Sequence, residues 1–505
     1  MCGFIGSFPS QDMTNVSKGL SKILHRGPDD NNIIKSELGV YGHCRLAIID
    51  VDSGIQPMEY NGHLIVFNGE IYNHQDLRSL LNEEFSTNSD TETILRLYLK
   101  FGPDIISKFN GMFSFAIINK NNLFLARDPI GIKPLYYLEN NGIIYFASEI
   151  KALSDIEGRI IEFPSGSYWH SEFGFKRYYD FSNLIKPNLE TNLVSKEGLI
   201  EIKEALKKAV NLRLIVDKDI PLGVALSGGL DSSIITALAR EQKYPLDTFA
   251  VGTAECKDLE LSSLVSKHLD TNHHTYAYDA EDILDALPSV IKHLESFDAA
   301  LIRSAVPNYF LARLASKYVK VILTGEGADE LFGGYKYLSQ IYNPLDFHNE
   351  LFNLISNLHN TNLQRADRMT MAFGIEARVP FLDKDFIETS LRVPVNWKLH
   401  NNQKRIEKYI LREAFKNMLP HSIIQRPKEK FSHGAGSKDI MANYSEKEIS
   451  DDEFNNEKNI GDKLILRSKE ELFYYRIFVD IFGDTIDPET VGRTRSIVKD
   501  ELMAL

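Results

Sequence analysis

A cysteine stands at the second position, after Met1 and before Gly3. If Met1 is removed, Cys2 carries both a thiol and a free α-amine, whose ordinary pKa values of about 8.5 and about 7.7–8.0 lie near neutrality. The amine can then serve as general base for its own thiol, directly or through water, with no distant histidine. The run F-N-G-E-I-Y-N (67–73) adds what such a nucleophile needs next. The Asn68 side-chain amide beside an unhindered backbone N–H at Gly69 is the raw material of an oxyanion hole. Arg45, Glu70 and Asp90 offer one cation and two anions, suited to the carboxylate and the ammonium of a free amino acid. Each residue also has a plainer use: Asn-Gly is a common hairpin turn, and Asp90 suits a helix N-cap.

A second group of chemical residues starts at P-L-G-V-A-L-S-G-G-L-D-S-S-I-I (221–235). An apolar strand ending at Leu226 runs into Ser227, Gly228, Gly229, Leu230, Asp231, Ser232 and Ser233, and helical pattern resumes at Ile234. Two adjacent glycines let backbone N–H groups approach phosphate oxygens. The helix N-terminus and the two serine hydroxyls add donors there. No lysine closes the loop, so it is not a Walker motif; it resembles the ATP-pyrophosphatase loop, whose enzymes release AMP and pyrophosphate. T-G-E-G-A-D-E-L-F-G-G-Y (324–335) follows another short strand. Asp231 and Asp329, each after a predicted strand, are hard ligands suited to Mg²⁺ on phosphates. Glu326 is a candidate base for an attacking ammonium. Lys428 in R-P-K-E-K-F-S (426–432) is a point charge suited to an α-phosphate and a departing pyrophosphate.

These residues need two different scaffolds. Up to about residue 180, short β-type runs such as 38–50, 63–73, 113–127 and 142–150 alternate with Gly, Pro, Asn and Asp, and D-T-E-T-I-L-R-L-Y-L-K-F (90–101) has helical periodicity. That predicts antiparallel sheets with at least one helix. The polar stretch 180–198 is the expected linker. Beyond it, helical runs at 199–215 and 305–318 alternate with short strands at 223–226, 248–252 and 320–325, the pattern of a parallel sheet covered by helices. From about 345 the chain reads as mostly helical, with a polar tail at 485–505. The expected domains are 1–185 and 195–505, in keeping with a 505-residue chain that exceeds a single core.

Bulk composition narrows the classes. The chain is 43% hydrophobic and 25% charged, ordinary for a globular enzyme. With 57 basic and 70 acidic residues it carries a formal charge of -13, which argues against a nucleic-acid partner. Three cysteines (Cys2, Cys44, Cys256) are too few for a disulfide framework and fit a reducing compartment. The N-terminus lacks the pattern of a signal peptide, and no apolar run reaches membrane-spanning length. A cytoplasmic protein without membrane partners is the expectation.

The motifs together resemble the asparagine synthetase family. The glutaminase half is carried by M-C-G-F-I-G at the start, H-R-G-P-D (25–29), R-L-A-I-I-D (45–50), Q-P-M (56–58), F-N-G-E-I-Y-N-H (67–74), R-D-P-I-G-I-K-P-L-Y-Y (127–137) and A-S-E-I-K-A-L (147–153). The second half adds the phosphate loop, T-G-E-G-A-D-E, R-P-K-E-K-F and I-E-A-R-V-P-F-L-D (375–383), so that the resemblance covers about residues 1–440. It implies an α+β N-terminal-nucleophile (αββα) glutaminase domain, followed by an α/β ATP-pyrophosphatase-like domain with a parallel sheet and a helical C-terminal part. It further implies that Cys2 attacks the glutamine amide, that Asn68 and Gly69 hold the oxyanion, and that Arg45, Glu70 and Asp90 bind the amino-acid end. Leu226, Val251, Thr324 and Gly325 would line the adenosine pocket, and Arg303 would hold the acceptor's carboxylate. Arg26, Asp29, Arg127, Asp128, Arg378 and Asp383 match family motifs and are read as structural or interface residues.

The implied reaction joins the sites. Ammonia released at Cys2 passes through an enclosed passage to a β-aspartyl-adenylate, giving asparagine, AMP, pyrophosphate and glutamate. The substrates are glutamine, aspartate and ATP with Mg²⁺, and a homodimer is the expected assembly. One departure stands out: Ala300 and Leu301 occupy positions where many members carry paired threonines, although Arg303 remains. An amidotransferase acting on another carboxylate is therefore the competing expectation, and a non-catalytic nucleotide or glutamine sensor a third.

Overall fold

The computed structural model describes residues 1–181, 188, 194–399, 406–428, 434–461, 464–483 and 485–494, without the side chains of 437–439. Most of the expected linker, and the tail beyond residue 494, lie outside the described residues.

The first part of the chain forms twelve strands. One antiparallel sheet has the order β10 (Ile161–Glu162), β8 (Tyr136–Asn140), β9 (Ile143–Ala147), β1 (Gly3–Phe8), β3 (Val40–Arg45), β2 (Asp30–Lys35). The other has the order β12 (Gly174–Arg177), β11 (Ser167–His170), β7 (Leu123–Arg127), β6 (Gly111–Ile118), β5 (His63–Ile71), β4 (Met58–Tyr60). Strand alternation explains how the sheets stack. On β5, Leu64 and Val66 join Phe4, Tyr41 and Phe146 in a core between the two sheets. The intervening Ile65 and Phe67 face the other way, under Ile94, Leu95 and Leu97 of helix α2 (Asp90–Phe101). Helix α1 (Met13–Lys22) covers the first sheet, packing Val16 and Leu20 on Ile5 and Val40. The result is the four-layer αββα arrangement of an N-terminal-nucleophile domain.

The second part centres on a five-stranded parallel sheet with the order β15 (Asn272–Ala277), β14 (Asp247–Gly252), β13 (Leu222–Ala225), β16 (Val321–Leu323), β17 (Glu376–Arg378). Helices α3 (Lys196–Arg213), α4 (Leu230–Gln242), α5 (Ala299–Ala315), α6 (Asn362–Met371) and α7 (Lys469–Phe482) surround it. α5 begins six residues before the periodic stretch, because Asp298 caps it by accepting from the Leu301 N–H at 2.8 Å. β13 lies between β14 and β16, so the sheet order reverses beside it, and the loops after β13 and β16 open a crevice at the carboxyl ends of the strands.

Candidate active sites

Cys2 is buried at the head of β1. Its N–H donates to Asn68 Oδ1 at 3.2 Å, and its carbonyl accepts from Arg26 Nε at 3.0 Å. Asn68 is fully buried, and its Nδ2 has no hydrogen-bond partner. Asn68 and Gly69 are not a hairpin turn: β5 runs on through Ile71, with Asn68 opposite Ser114 and Gly69 opposite Phe113. A continuous ladder to β6 overrides the local turn preference. Gly69 adopts φ +152°, and a Cβ there would lie 2.0 Å from the Met112 carbonyl oxygen, so only glycine fits. Burial raises the Cys2 thiol pKa, while the chain's terminal charge, the Leu46 N–H and Arg45 oppose the rise. Met1 is present, so the nitrogen of Cys2 is a peptide amide here. The Met1 α-ammonium is buried 3.0 Å from Glu376 Oε2, and the self-activating amine of Cys2 requires that Met1 be cleaved.

Around Cys2 the chain gathers the residues predicted to hold an amino acid. Arg45 ends β3 and is aimed by the carbonyls of Val51 and Asp50, at 2.8 and 2.6 Å. Glu70 follows Gly69 and has Oε1 3.5 Å from Arg378 Nη2. Asp90 is not the cap of α2, because Ser89 takes that place by accepting from Thr91 N–H; Asp90 instead accepts from Ile71 N–H at 2.9 Å. Burial, Glu376 and Asp90 hold the Glu70 pKa well above the carboxylate range, and burial pushes Asp90 up to about 6. Two crowded, buried carboxylates whose ionisation Arg378 only partly supports are suited to the ammonium of an amino acid.

The second site lies at the crevice of the parallel sheet. Helix α4 begins at Leu230, four residues earlier than the sequence pattern indicates, so Asp231, Ser232 and Ser233 occupy its first turn, where unsatisfied N–H groups favour anions. Gly228 takes φ +70° and packs so tightly that a Cβ would lie 2.6 Å from Leu261 Cβ. Ser232 Oγ braces the loop, accepting from Ser227 N–H and donating to Gly229 O, each at 3.2 Å, and Ser227 Oγ accepts from Gly229 N–H at 3.4 Å. Leu226 directly follows β13 and Val251 lies near the end of the neighbouring β14; both are buried. Gly325 lies against the loop, since a Cβ there would be 3.0 Å from both Asp231 Cβ and Ser232 N. Thr324 Oγ1 and Ser233 Oγ are buried without partners.

Asp231 and Asp329 face one another across Lys408, whose Nζ is 2.6 Å from each. Lys428 Nζ is 2.6 Å from Asp329 and 3.8 Å from Asp231. Burial opposes the charge of Lys428, but Asp329 and Asp231 outweigh it and raise its pKa; the two lysines likewise overcome burial at Asp329 and lower that of the carboxylate. Asp231 Oδ1 is buried without a hydrogen-bond partner, and among the described residues no cluster of three acidic, histidine or cysteine ligands exists. Two hard oxygens and no protein cage suit a Mg²⁺ ion held mainly by phosphates. Glu326 is gripped by Arg365 of α6. Glu330, one residue past Asp329, is pushed up to about 7 by burial and by Asp329, and accepts from Asn362 Nδ2 at 3.0 Å and from Tyr335. Arg303, on α5, forks onto Glu470 of α7, with Nε at 2.8 and 3.0 Å from its two oxygens.

Several site-forming residues escape sequence reasoning. Lys408 lies in the undistinguished run I-E-K-Y-I-L-R-E (406–413). Its one unusual property, a left-handed backbone with φ +56° in a non-glycine residue, is visible only in the fold. Arg365 and Asp367 fall in a stretch with no motif signal. Arg378, read as architectural, holds the carbonyls of Arg213 and Ile215 at 2.9 and 2.6 Å but also faces Glu70. Asp383 is architectural in its contacts: it pairs with Arg213 and caps the helix Lys384–Arg392. Asp128 accepts from the N–H groups of Ile130, Ile132 and Lys133 in its own turn and of Phe113 on β6, and Arg127 fixes the carbonyls of Lys133 and Phe163.

Comparison with known proteins matches the same two halves. Residues 1–164 match the glutamine amidotransferase domain family, and residues 201–348 and 339–496 match the asparagine synthase family. A probable glutamine-hydrolysing asparagine synthetase of Dictyostelium discoideum is 38% identical, covering 98% of this chain and 96% of its own length. Asparagine synthetase B of Escherichia coli K12, glutamine-hydrolysing, is 36% identical over 95% of this chain and 91% of its own. A probable counterpart from Schizosaccharomyces pombe is 39% identical over 92% and 89%.

Proposed function

Because this chain belongs to the glutamine-hydrolysing asparagine synthetase family, we propose that it makes asparagine from aspartate, glutamine and ATP, with its nitrogen supplied at Cys2. The observation that carries the reading is the state of Asn68: one side-chain atom holds Cys2 and the other is a buried donor with no partner. A buried, unmet donor beside a nucleophile is costly unless a developing oxyanion satisfies it.

In the glutaminase half, the α-amine of processed Cys2 takes the thiol proton and the sulfur adds to the glutamine side-chain carbonyl. Asn68 Nδ2 and the Gly69 N–H receive the oxyanion, while Arg45 meets the α-carboxylate and Glu70 and Asp90 the α-ammonium. The C–N bond breaks, ammonia departs with the proton returned by the amine, and water cleaves the thioester to glutamate. In the synthetase half, an aspartate β-carboxylate oxygen bonds to the α-phosphorus and pyrophosphate leaves. Ammonia then adds to the acyl carbonyl, Glu326 accepts a proton from the attacking nitrogen, and AMP departs. Ser227, Gly228, Gly229, Ser232 and Ser233 cradle phosphate, Lys428 neutralises the departing pyrophosphate, and Leu226, Val251, Thr324 and Gly325 border the nucleoside. Asp231 and Asp329 would hold Mg²⁺, which supplies charge neutralisation on the phosphates. Free ammonia protonates in water, so transfer between the halves runs through an enclosed passage. A cytoplasmic homodimer completes the proposal; of the two parts, the free thiols of Cys2, Cys44 and Cys256 support the reducing compartment.

The acceptor is the point to test. Arg303 reaches a substrate carboxylate only by exchanging Glu470, and no hydroxyl stands at Ala300 or Leu301. Pyrophosphate release is to be measured with ATP, glutamine and a panel of carboxylic acids. Turnover with aspartate and formation of asparagine are expected; silence with aspartate alongside turnover of another acid moves the chain to the competing amidotransferase reading.

A further inference from the structure

Cys2 is a nucleophile at the end of a chain, and chain ends fray unless tied down. Once Met1 is gone no preceding residue fixes its backbone. Its backbone keeps the contact from its nitrogen to Asn68 and the contact from its carbonyl to Arg26 Nε, at 3.0 Å, while the Leu46 N–H meets only the thiol. The second depends on how Arg26 is aimed. Arg26 closes the short turn of helix Leu24–Arg26, and its stem crosses Gly3, where a Cβ would lie 3.0 Å from Arg26 Cδ. Its far end does not rest in the glutaminase domain alone. Nη1 and Nη2 donate to Asp367 Oδ2 and Oδ1 of α6 at 2.8 and 3.3 Å, and Nη1 also donates to Glu149 at 2.6 Å. Arg26 is fully buried and Asp367 nearly so. A two-pronged carboxylate is what fixes the plane of a guanidinium, and hence the direction in which Nε points.

We propose that Asp367, a residue of the synthetase half, is a positioning residue of the glutaminase reaction, aiming Arg26 so that it holds the carbonyl of Cys2. The proposal rests on the reading of Cys2 as the glutamine nucleophile and deepens it: the glutaminase site is completed by the other domain. Asp367 touches no substrate. It is itself steadied by Arg368 Nη1 at 3.2 Å and by Lys133 Nζ at 3.5 Å, so it is a fixed point rather than a loose partner. Two residues earlier on α6, Arg365 grips Glu326 of the synthetase site. One helix therefore borders both reaction centres.

The test uses the full chain carrying Asp367→Asn. Glutamate release without ATP gives kcat and KM for glutamine, iodoacetamide alkylation of Cys2 is followed across pH, and ammonia-driven pyrophosphate release reports on the other half. A nucleophile displaced by about 1 Å loses up to about 100-fold in rate. The expected result is a glutaminase kcat lower by about 10- to 100-fold, with a shifted alkylation profile, because the thiol and amine are no longer held. KM for glutamine and ammonia-driven synthesis stay within about threefold, since neither Arg45, Glu70 and Asp90 nor the phosphate loop is touched. A glutaminase kcat within twofold of the parent would overturn the proposal, as would equal losses in both activities. If Asp367→Asn does not accumulate as folded protein, Asp367→Glu keeps the charge and is judged by the same two outcomes. Absence of glutamate release from the parent chain would instead strike at the reading of Cys2.

Discussion

Replacing Asn68 by aspartate separates the two jobs of that side chain. Aspartate has the same shape and retains an Oδ1 able to accept the Cys2 N–H, now at 3.2 Å. What changes is the other atom: the buried, unpartnered Nδ2 becomes a carboxylate oxygen. Loss of one preorganised oxyanion donor is worth about 2.7–4 kcal/mol, a factor of about 10²–10³ in kcat. The true loss lies at or above the upper figure, because a new anion repels the developing oxyanion and joins Glu70 and Asp90, whose ionisation burial already disfavours. Glutamate release by Asn68→Asp is thus expected to fall by about 10³-fold in kcat, while ammonia-driven pyrophosphate release, which bypasses Cys2, stays near the parent rate and shows that the protein is folded. A kcat loss under about tenfold, or a loss confined to KM, would refute the oxyanion assignment, since a donor used only in the transition state appears in kcat.

Two further outcomes follow from the charges. The Asp90 pKa, raised to about 6 by burial from its ordinary 3.8, means that acidification through 6 neutralises it; this group favours the folded protein below 3.8 and loses that contribution as pH rises through 6. Glutamine needs the anion, so KM for glutamine should rise about tenfold between pH 7 and pH 5 with the ammonia route unaffected, and Asp90→Asn should show the high KM at every pH; a KM that is flat from pH 7 to 5 removes Asp90 from the ammonium site. Lys408→Met leaves Asp231 and Asp329 facing each other with only Lys428 nearby, and breaking a buried charge set of this kind costs about 3–5 kcal/mol. The nucleotide-free variant should therefore melt well below the parent in a thermal scan and recover part of the difference with ATP and Mg²⁺, whereas an unchanged midpoint would make the bridging lysine incidental.

Legibility in the sequence divides along a physical line. Residues whose chemistry is local were readable: the strand–glycine–helix signal of the phosphate loop, the short β-type run at 63–73 and the helix at 90–101 follow from patterns a few residues long. Asn68-Gly69 shows the limit. Two residues of strong turn preference read as a hairpin, yet the pairing with β6, some 45 residues away, keeps them in a strand and turns the glycine's tolerance toward a close approach to Met112. Asp90 misled for a similar reason, because the neighbouring Ser89 competes for the cap and frees Asp90 to reach Ile71. Lys408, Arg365 and Asp367 were silent because their significance is a matter of partners: each acts on a residue at least 39 positions away, and ion pairs of that range leave no periodicity.

Those long-range partners also bear on why the seam between the halves, which is packed in part by apolar side chains from both, carries buried ion pairs as well. Arg26–Asp367, Arg368–Glu149, Lys151–Glu295 and Arg378–Glu70 all cross it, and all are buried or nearly so. Buried ion pairs are poor sources of stability, because each charge must first be stripped of water, and an apolar seam of the same area would hold the halves together at least as firmly. An apolar seam, however, tolerates sliding, since Leu against Ile is nearly as good one notch along. A guanidinium fork on a carboxylate loses its hydrogen bonds on a displacement of an ångström or so, and the desolvation cost then stands unrelieved. Charges at this seam thus trade stability for register. That register sets where the Cys2 carbonyl lies through Arg26 and where Glu70 lies through Arg378. For two centres that must pass a reactive nitrogen without losing it to water, a fixed register is the property that matters.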